Sequence, residues 1–333
     1  MENIQFIIDN IRAVVASHKL ADGQYARWLW QDAKGSRQLG VNPYGCADAA
    51  NILYTLGDFP SLPSERAEWV STLQNMQSPD SGLFHEATHH PIHTTAHCCA
   101  ALELFDAAPL YPMTGLMPTL EPGGIESFLD GLGWYDNPWS QSHQGAGVYV
   151  AMNLSGAATP EWNRRYFDWL WNEADPQTGL WRRGETLRKG SKPLYMHMAG
   201  SFHYLFNHEY AHMPLRYPDR LIDTCIEMYD NRELPSNFGR ACNFIEIDWI
   251  FCLTRASRQT PHRFYEVRER LRAFAGEYLD FWRNVDWSHD ETINDLHMLF
   301  GAVCALAELQ QVLRGELPSD KPLRLVLDRR PFI

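Results

Sequence analysis

The chain has 333 residues, of which 45% are hydrophobic and 21% charged, and its formal net charge is −12 at pH 7. This composition is typical of a globular protein and excludes a largely disordered chain. The acidic balance argues against nucleic acid as a partner, because phosphate binding needs a basic face. No apolar run reaches the roughly 18 residues of a membrane span, so no membrane partner is expected.

The amino-terminal segment and the cysteines together predict a cytoplasmic protein. Residues 2–17 have an amphipathic pattern and lack the small-residue cleavage site of a signal peptide. The seven cysteines include no CxxC pair and lie mostly in apolar helical stretches. We therefore expect reduced core thiols in a single domain over residues 1–333, with residues 318–333 as a C-terminal tail.

A helical repeat with a period of about fifty residues runs along the chain. Six segments rich in small and apolar residues alternate with amphipathic segments that carry charge on one side. The amphipathic segments are predicted as outer helices over residues 2–17, 63–77, 122–132, 160–174, 215–229 and 262–283. The small-residue segments are predicted as inner helices over residues 44–57, 92–105, 140–154, 195–207, 242–256 and 294–309.

Three loops between an outer and an inner helix contain a glycine just before an aromatic residue. They are ADGQY (21–25), DSGLF (80–84) and QTGLW (177–181). We expect each glycine to adopt a positive φ and each aromatic ring to fold back onto the helices. The inner helices are apolar nearly all round and should therefore be buried. Six buried helices inside six amphipathic ones predict an all-α fold, an (α/α)6 toroid with parallel inner helices.

This repeat resembles the α/α toroid superfamily over nearly the whole chain. The group includes six-hairpin glycoside hydrolases, heparinase-type polysaccharide lyases, the N-acylglucosamine epimerase group, and terpenoid cyclases with prenyltransferases. The turn DSGLF with Gln77 before it resembles the Gln-to-Trp repeat of triterpene cyclases, with Phe84 in place of Trp. The resemblance implies the fold, whereas the function depends on the residues of the site.

The first turns of all six predicted inner helices carry ionisable or amide side chains. In a toroid these turns meet at one mouth, where clustered polar groups indicate a wet cavity or a ligand. The predicted catalytic residues are Asp48, His143, His197, His203, Glu246, Asp248 and Asp295. The predicted substrate-binding residues are Tyr44, His93, His97, Trp139, Trp181, Arg182, Tyr195, Asn243 and His297. A competing interpretation as helix caps applies to Ser140, Ser142, Asn294 and Asp295.

Two carbohydrate chemistries fit these residue types. Paired carboxylates suit glycoside hydrolysis, although Glu246 and Asp248 lie about 200° apart on one helix and cannot both face a cavity. An eliminating lyase would use a base such as Tyr195, His197 or His203, with a basic loop to neutralise a substrate carboxylate. That loop contains Arg182, Arg183, Arg188, Lys189 and Lys192. We expect an enzyme that cleaves a glycosidic bond in an oligosaccharide or small-molecule substrate by general acid–base catalysis.

Three alternatives stay open at this point. No organic cofactor is predicted, but the i,i+4 pair His93 and His97 could chelate a divalent metal, with His143 or Asp48 as a third ligand. A terpenoid isomerase or cyclase would have an apolar cavity lined by Phe, Met and Cys, although the sequence has no DDxxD or DxDD motif. In a non-catalytic binding toroid, the polar first turns would pair with one another and leave no open cavity.

Overall fold

The computed structural model describes residues 3–332 and shows an all-helical chain, as the sequence predicts. The helices are α1 (Gln5–His18), α2 (Pro43–Leu56), α3 (Pro63–Gln74), α4 (Pro91–Leu104), α5 (Gly124–Asp130), α6 (Pro138–Leu154), α7 (Pro160–Glu173), α8 (Leu194–Tyr210), α9 (Pro218–Asp230), α10 (Ile245–Ser257), α11 (Phe264–Asn284), α12 (Leu296–Val312) and α13 (Val326–Arg329). A 3-10 helix covers Thr114–Leu120, and β1 (Lys19–Ala21) pairs antiparallel with β2 (Gln24–Tyr25). The even-numbered helices α2 to α12 correspond to the predicted inner helices, and the odd-numbered helices α1 to α11 correspond to the predicted outer ones.

The even-numbered helices make a closed series of contacts. Each packs against the next in the series, and α12 packs against α2. Among the odd-numbered helices, α3 lies against α2 and α4, α9 against α8 and α10, and α11 against α10 and α12. Most side chains of the even-numbered helices are buried, whereas α9 buries a stripe. The apolar patterns in the sequence therefore predict correctly which helices are buried on most sides.

Proline marks the first position of α2, α3, α4, α6, α7 and α9. Its fixed φ suits a helix start, and its missing N–H would have no helical partner there. The side chains of Asn42, Asn137, Thr159 and Asp295 cap α2, α6, α7 and α12 by accepting backbone N–H groups. Because of these prolines, α2, α4 and α6 begin one or two residues earlier than predicted.

The predicted glycine turns repeat one arrangement. Gly23, Gly82 and Gly179 have φ angles of 71°, 73° and 73°. A Cβ on any of them would clash with neighbouring backbone atoms, so glycine is required there. The aromatic residue after each glycine is buried, and its backbone N–H donates to a side chain of an even-numbered helix. The pairs are Tyr25 to Cys46 Sγ, Phe84 to Thr95 Oγ1, and Trp181 to Ser201 Oγ.

The predicted C-terminal tail contributes to the packed interior. In its described part, Leu323, Val326, Leu327 and Phe332 are buried. The ring of Phe332 lies 5.0 Å from the ring of His93, measured between centroids. This segment therefore packs against the helices, and Phe332 lies close to the polar first turn of α4.

The sequence predicts reduced core thiols and no membrane span, and the structure describes both the cysteines and the helices. All seven cysteines are buried and free. Within residues 3–332, none of the helices combines the length and apolar character that a bilayer crossing requires.

Candidate functional site

A cavity of about 360 Å³ lies beside the amino-terminal ends of the even-numbered helices. Its wall has five imidazoles, one guanidinium, apolar side chains and no carboxylate among the described residues. The lining residues are Arg27, Thr88, His89, His93, Asn137, Trp139, Ser140, His143, Met196, His203, Asn243, Phe244, His297 and Met298. The polar first turns therefore surround an open space, where imidazoles are the main titratable groups.

Ten of the predicted site residues lie at this cavity or directly behind its wall. Those on the wall are His93, Trp139, His143, His203, Asn243 and His297. Those behind it are Tyr44, Asp48 and Asp295, which bond to wall residues, and His97, which bonds to Asp48. The gradient from polar to apolar residues along each inner helix therefore locates the cavity correctly.

The other six predicted site residues do not line the cavity. They are Trp181, Arg182, Tyr195, His197, Glu246 and Asp248. Trp181 fills the core, where its indole N–H donates to the carbonyl of Leu170. Arg182 forms ion pairs with two carboxylates, and His197 contacts the hydroxyl of Ser191. The basic loop around Arg182 consequently adds no cation to the wall.

Glu246 and Asp248 are buried in the first turn of α10. Glu246 Oε1 accepts the backbone N–H of Gly239 at 2.7 Å, and burial raises the pKa of Glu246 to about 7. Neither carboxyl oxygen of Asp248 has a hydrogen-bond partner within residues 3–332. Burial, and then the charge of Glu246, raise the pKa of Asp248 far above its usual range. These two carboxyls therefore do not form a catalytic pair at the cavity.

Asp48 lies behind the wall and binds two imidazoles. Its Oδ1 accepts from His97 Nε2 at 2.7 Å and from His297 Nδ1 at 3.1 Å. Burial opposes the charge on Asp48, but the facing rings of His297 and His97 outweigh it and hold the pKa of the carboxyl below its usual range. Burial lowers the pKa of His297 to about 4, although Asp48 opposes that shift. His297 is therefore neutral near pH 7, and its Nε2 lone pair is left for the cavity.

Three further imidazoles on the wall come together from α4, α6 and α8. One ring nitrogen from each of His93, His143 and His203 lies within 4.8 Å of the other two. The ring centroids are 4.3 Å apart for His93 and His143, and 4.5 Å apart for His143 and His203. Burial, followed by the neighbouring imidazoles, lowers the pKa of His93 and of His143 far below its usual value. Burial lowers the pKa of His203 to about 3, so all three rings are neutral near pH 7.

Hydroxyl groups orient two of these three rings. Tyr44 Oη bonds to His93 Nδ1, and Ser142 Oγ lies 3.0 Å from His203 Nδ1. The Ser142 hydroxyl donates its own proton to the carbonyl of Trp139. His203 Nδ1 must then be the donor in the second bond, and its Nε2 carries the lone pair. Ser142 is therefore not a helix cap but a residue that positions an imidazole.

The i,i+4 pair His93 and His97 is divided between two groups. Their ring centroids lie 6.5 Å apart, and the two rings face different partners. Four residues advance a helix by about 6 Å, so His97 lies one turn deeper along α4 than His93. His93 joins His143, whereas His97 joins Asp48, so each predicted third ligand belongs to a different group.

Arg27 and His89 line the cavity from loops and are absent from the predicted site. The Nε and Nη2 groups of Arg27 donate to the two carboxylate oxygens of Asp295 at 2.7 and 2.9 Å. Asp295 also caps α12, because its Oδ1 accepts the backbone N–H of His297. Loop residues have no periodicity that predicts their position. The one feature of the sequence that could have indicated Arg27 is its place two residues after the ADGQY turn.

Comparisons with known proteins identify no relative of this chain. It matches no protein-family model, no curated protein and no solved structure. Its function must be inferred from the cavity and the residues around it.

Proposed function

We propose that this protein is an (α/α)6 toroid enzyme that cleaves a glycosidic bond next to a uronate by elimination. The proposal makes His297 the general base and Asp48 the residue that orients it. Two observations support it, namely the closed series of helix contacts and the composition of the cavity wall.

The helix contacts support the toroid. A ring of six inner helices requires α12 to return to α2, and those two helices are in contact. Of the odd-numbered helices, α3, α9 and α11 each lie outside the series, against the even-numbered helices before and after them. The seven free, buried thiols support the further proposal that the protein works in a reducing compartment such as the cytoplasm.

The observation that carries the proposed chemistry is the imidazole of His297 on the wall, bonded to Asp48 behind it, where the described lining residues include no carboxylate. Glycoside hydrolysis usually needs two carboxyl groups on either side of the bond. Elimination needs one base beside the acidic carbon, and a neutral imidazole can serve as that base. The wall supplies the imidazole of His297, with its Nδ1–H held by Asp48, so the residues favour elimination over hydrolysis.

In the proposed step, His297 Nε2 takes the proton from the carbon that bears the substrate carboxylate. The electron pair of that C–H bond forms a C=C bond, and the C–O bond to the leaving sugar breaks. The imidazolium of His297 then returns the proton to the departing oxygen. Asp48 stabilises the imidazolium in between, as a buried carboxylate does in other carboxylate–histidine pairs. His297 ends neutral, and the reaction needs no oxidant or reductant.

The remainder of the wall suits a sugar ring. Trp139 offers a flat apolar face, while Asn137 and Asn243 offer amide groups. The volume of about 360 Å³ falls in the range of small-molecule sites, which argues against a binding toroid whose polar first turns pair with one another and leave no open cavity. Phe244, with two methionines, favours the second candidate, a terpenoid isomerase or cyclase.

The test uses purified protein and a panel of uronate-containing oligosaccharides, neutral oligosaccharides and terpenoid alcohols. Elimination produces an unsaturated uronate, which absorbs ultraviolet light, whereas hydrolysis produces reducing ends without that absorbance. We expect the increase in ultraviolet absorbance with the uronate-containing oligosaccharides and not with the other compounds of the panel. Asp48→Asn and His297→Gln should lower kcat by about 100- to 10,000-fold, and His85→Gln, at an exposed position outside the cavity, should leave it unchanged. Reducing ends without unsaturation, or full activity in His297→Gln, would contradict the proposal.

A further inference from the structure

We infer that His93, His143 and His203 form a binding site for one divalent transition-metal ion, with Zn²⁺ as the expected ion and an open coordination position toward the cavity. The three ligands come from three consecutive inner helices, α4, α6 and α8, so the site would connect segments more than a hundred residues apart in the chain. Three histidines with one open position are a ligand set that catalytic zinc sites use.

Three ring nitrogens from three helices converge without forming hydrogen bonds to one another. One nitrogen from each ring lies within 4.8 Å of the other two, and no hydrogen bond joins any two of the rings in the described chain. One metal ion placed between the three nitrogens could bond to all of them at once.

Two of the three rings also bond to a hydroxyl group through Nδ1. Histidine ligands usually donate their second N–H to an oxygen, which sets the tautomer and the ring plane. His203 Nδ1 donates to Ser142 Oγ, and His93 Nδ1 bonds to the hydroxyl of Tyr44. His203 thus already has the supporting oxygen that a metal ligand needs, and an ion bound to the other nitrogen of His93 would place the proton on Nδ1, within reach of Tyr44 Oη.

The other candidate group is Asp48 with His97 and His297, and it is less suited to a metal. Its nitrogen-to-oxygen contacts of 2.7 and 3.1 Å are hydrogen bonds, so a proton lies on each line that an ion would occupy. Asp48 and His97 are fully buried and do not line the cavity. An ion there would have no open position for substrate.

The distances in the three-histidine group set the movement that metal binding requires. A tetrahedral ion with Zn–N bonds of about 2.0–2.1 Å holds its nitrogens about 3.3 Å apart. The nitrogens, now within 4.8 Å of one another, would therefore approach by at most about 1.5 Å. His143 can make that movement easily, because it is partly exposed and no hydrogen bond fixes its ring in the part of the chain described.

The ion would supply the positive charge that the proposed elimination needs beside the substrate carboxylate. Elimination needs a cation that neutralises the substrate carboxylate, and Arg27 already donates to both oxygens of Asp295. An ion held by the three imidazoles could bind that carboxylate at its open position. This role rests on the proposed function, whereas metal binding itself does not.

The test measures binding of Co²⁺ and Zn²⁺ to the chelator-treated full chain in the absence of substrate. Visible absorption reports four-coordinate Co²⁺, and calorimetry gives the Zn²⁺ stoichiometry and Kd. We expect one ion per chain, with binding weakened about 100-fold or more by His143→Gln or His203→Gln and about tenfold by Ser142→Ala. His85→Gln and Asp48→Asn should bind as the wild type does. His143→Gln should fold normally, and its melting temperature checks this.

Two results would overturn the metal site. One is no stoichiometric binding by the wild type. The other is binding that survives in His143→Gln and His203→Gln but is lost in Asp48→Asn, which would place the ion in the Asp48 group. Because the readout needs no substrate, the two proposals can fail separately. If the chain cleaves no uronate but binds one ion, and His143→Gln and His203→Gln weaken that binding, the proposed function is refuted and the metal site is supported. Uronate cleavage by a chain that binds no metal would refute the site alone.

Discussion

Replacing Glu246 by glutamine should make the stability of this protein less sensitive to rising pH. Burial raises the pKa of Glu246 to about 7, against 4.5 for an ordinary glutamate. The folded chain therefore holds this proton more tightly than the unfolded chain does. The stabilisation from the protonated carboxyl is complete below pH 4.5 and is lost as pH rises through 7. The difference between the two pKa values corresponds to about 3 kcal/mol.

Glutamine keeps an oxygen that can accept the Gly239 N–H, but it cannot ionise. Urea unfolding at about pH 4.5 and about pH 8 would give the free energy of unfolding for both chains. Between these values the wild type should lose about 3 kcal/mol more than Glu246→Gln. Glu277→Gln, at an exposed position of α11, controls for the loss of one negative charge. An equal pH dependence in wild type and Glu246→Gln would refute the burial argument, as would the same change in Glu277→Gln.

Two further predictions concern backbone geometry and acid stability. Gly82→Ala should lower the free energy of unfolding by more than about 3 kcal/mol, because its Cβ would lie 2.0 Å from the carbonyl oxygen of Pro112. Gly156→Ala has the same φ of 73° and open space around it, and should cost only about 1–2 kcal/mol; urea unfolding that ranks the two variants the other way would contradict this. Burial lowers the pKa of His208 to about 4 from 6.5, so its contribution to stability is present above pH 6.5 and is lost as pH falls toward 4. His208→Gln should therefore lose about 2 kcal/mol less than the wild type between about pH 7 and about pH 5, and equal losses in the same assay would exclude His208 as the cause.

The helices could be predicted because their signals are local. Small and apolar residues all round a helix indicate burial on every side, whereas a single apolar stripe indicates an outer position. The glycine turns were equally predictable, since positive φ is a property of a few neighbouring residues. Helix starts were less accurate, because the proline at the first position of α2, α4 and α6 lies ahead of the apolar pattern.

The location of the cavity could be predicted, but its composition only in part. The polar first turns indicated the correct end of the inner helices, and six predicted residues line the wall. The sequence does not show how each helix is rotated about its own axis. In the structure, the rotation of α10 directs Glu246 and Asp248 into the protein interior. His197 and His203 lie six residues apart on α8, yet only His203 reaches the wall. That choice depends on the neighbouring helices α6 and α10.

By itself, the sequence determined the all-helical class and the alternation of buried and amphipathic helices. It also determined that polar groups gather at the amino-terminal ends of the buried helices. These are properties of residues a few positions apart, and hydrogen bonding within a helix fixes such spacings. The tertiary structure alone decided that His93 and His97 belong to different groups, and that Arg27 reaches Asp295 from a loop. Those contacts join residues far apart in the chain, so they depend on how the helices pack and not on any local spacing.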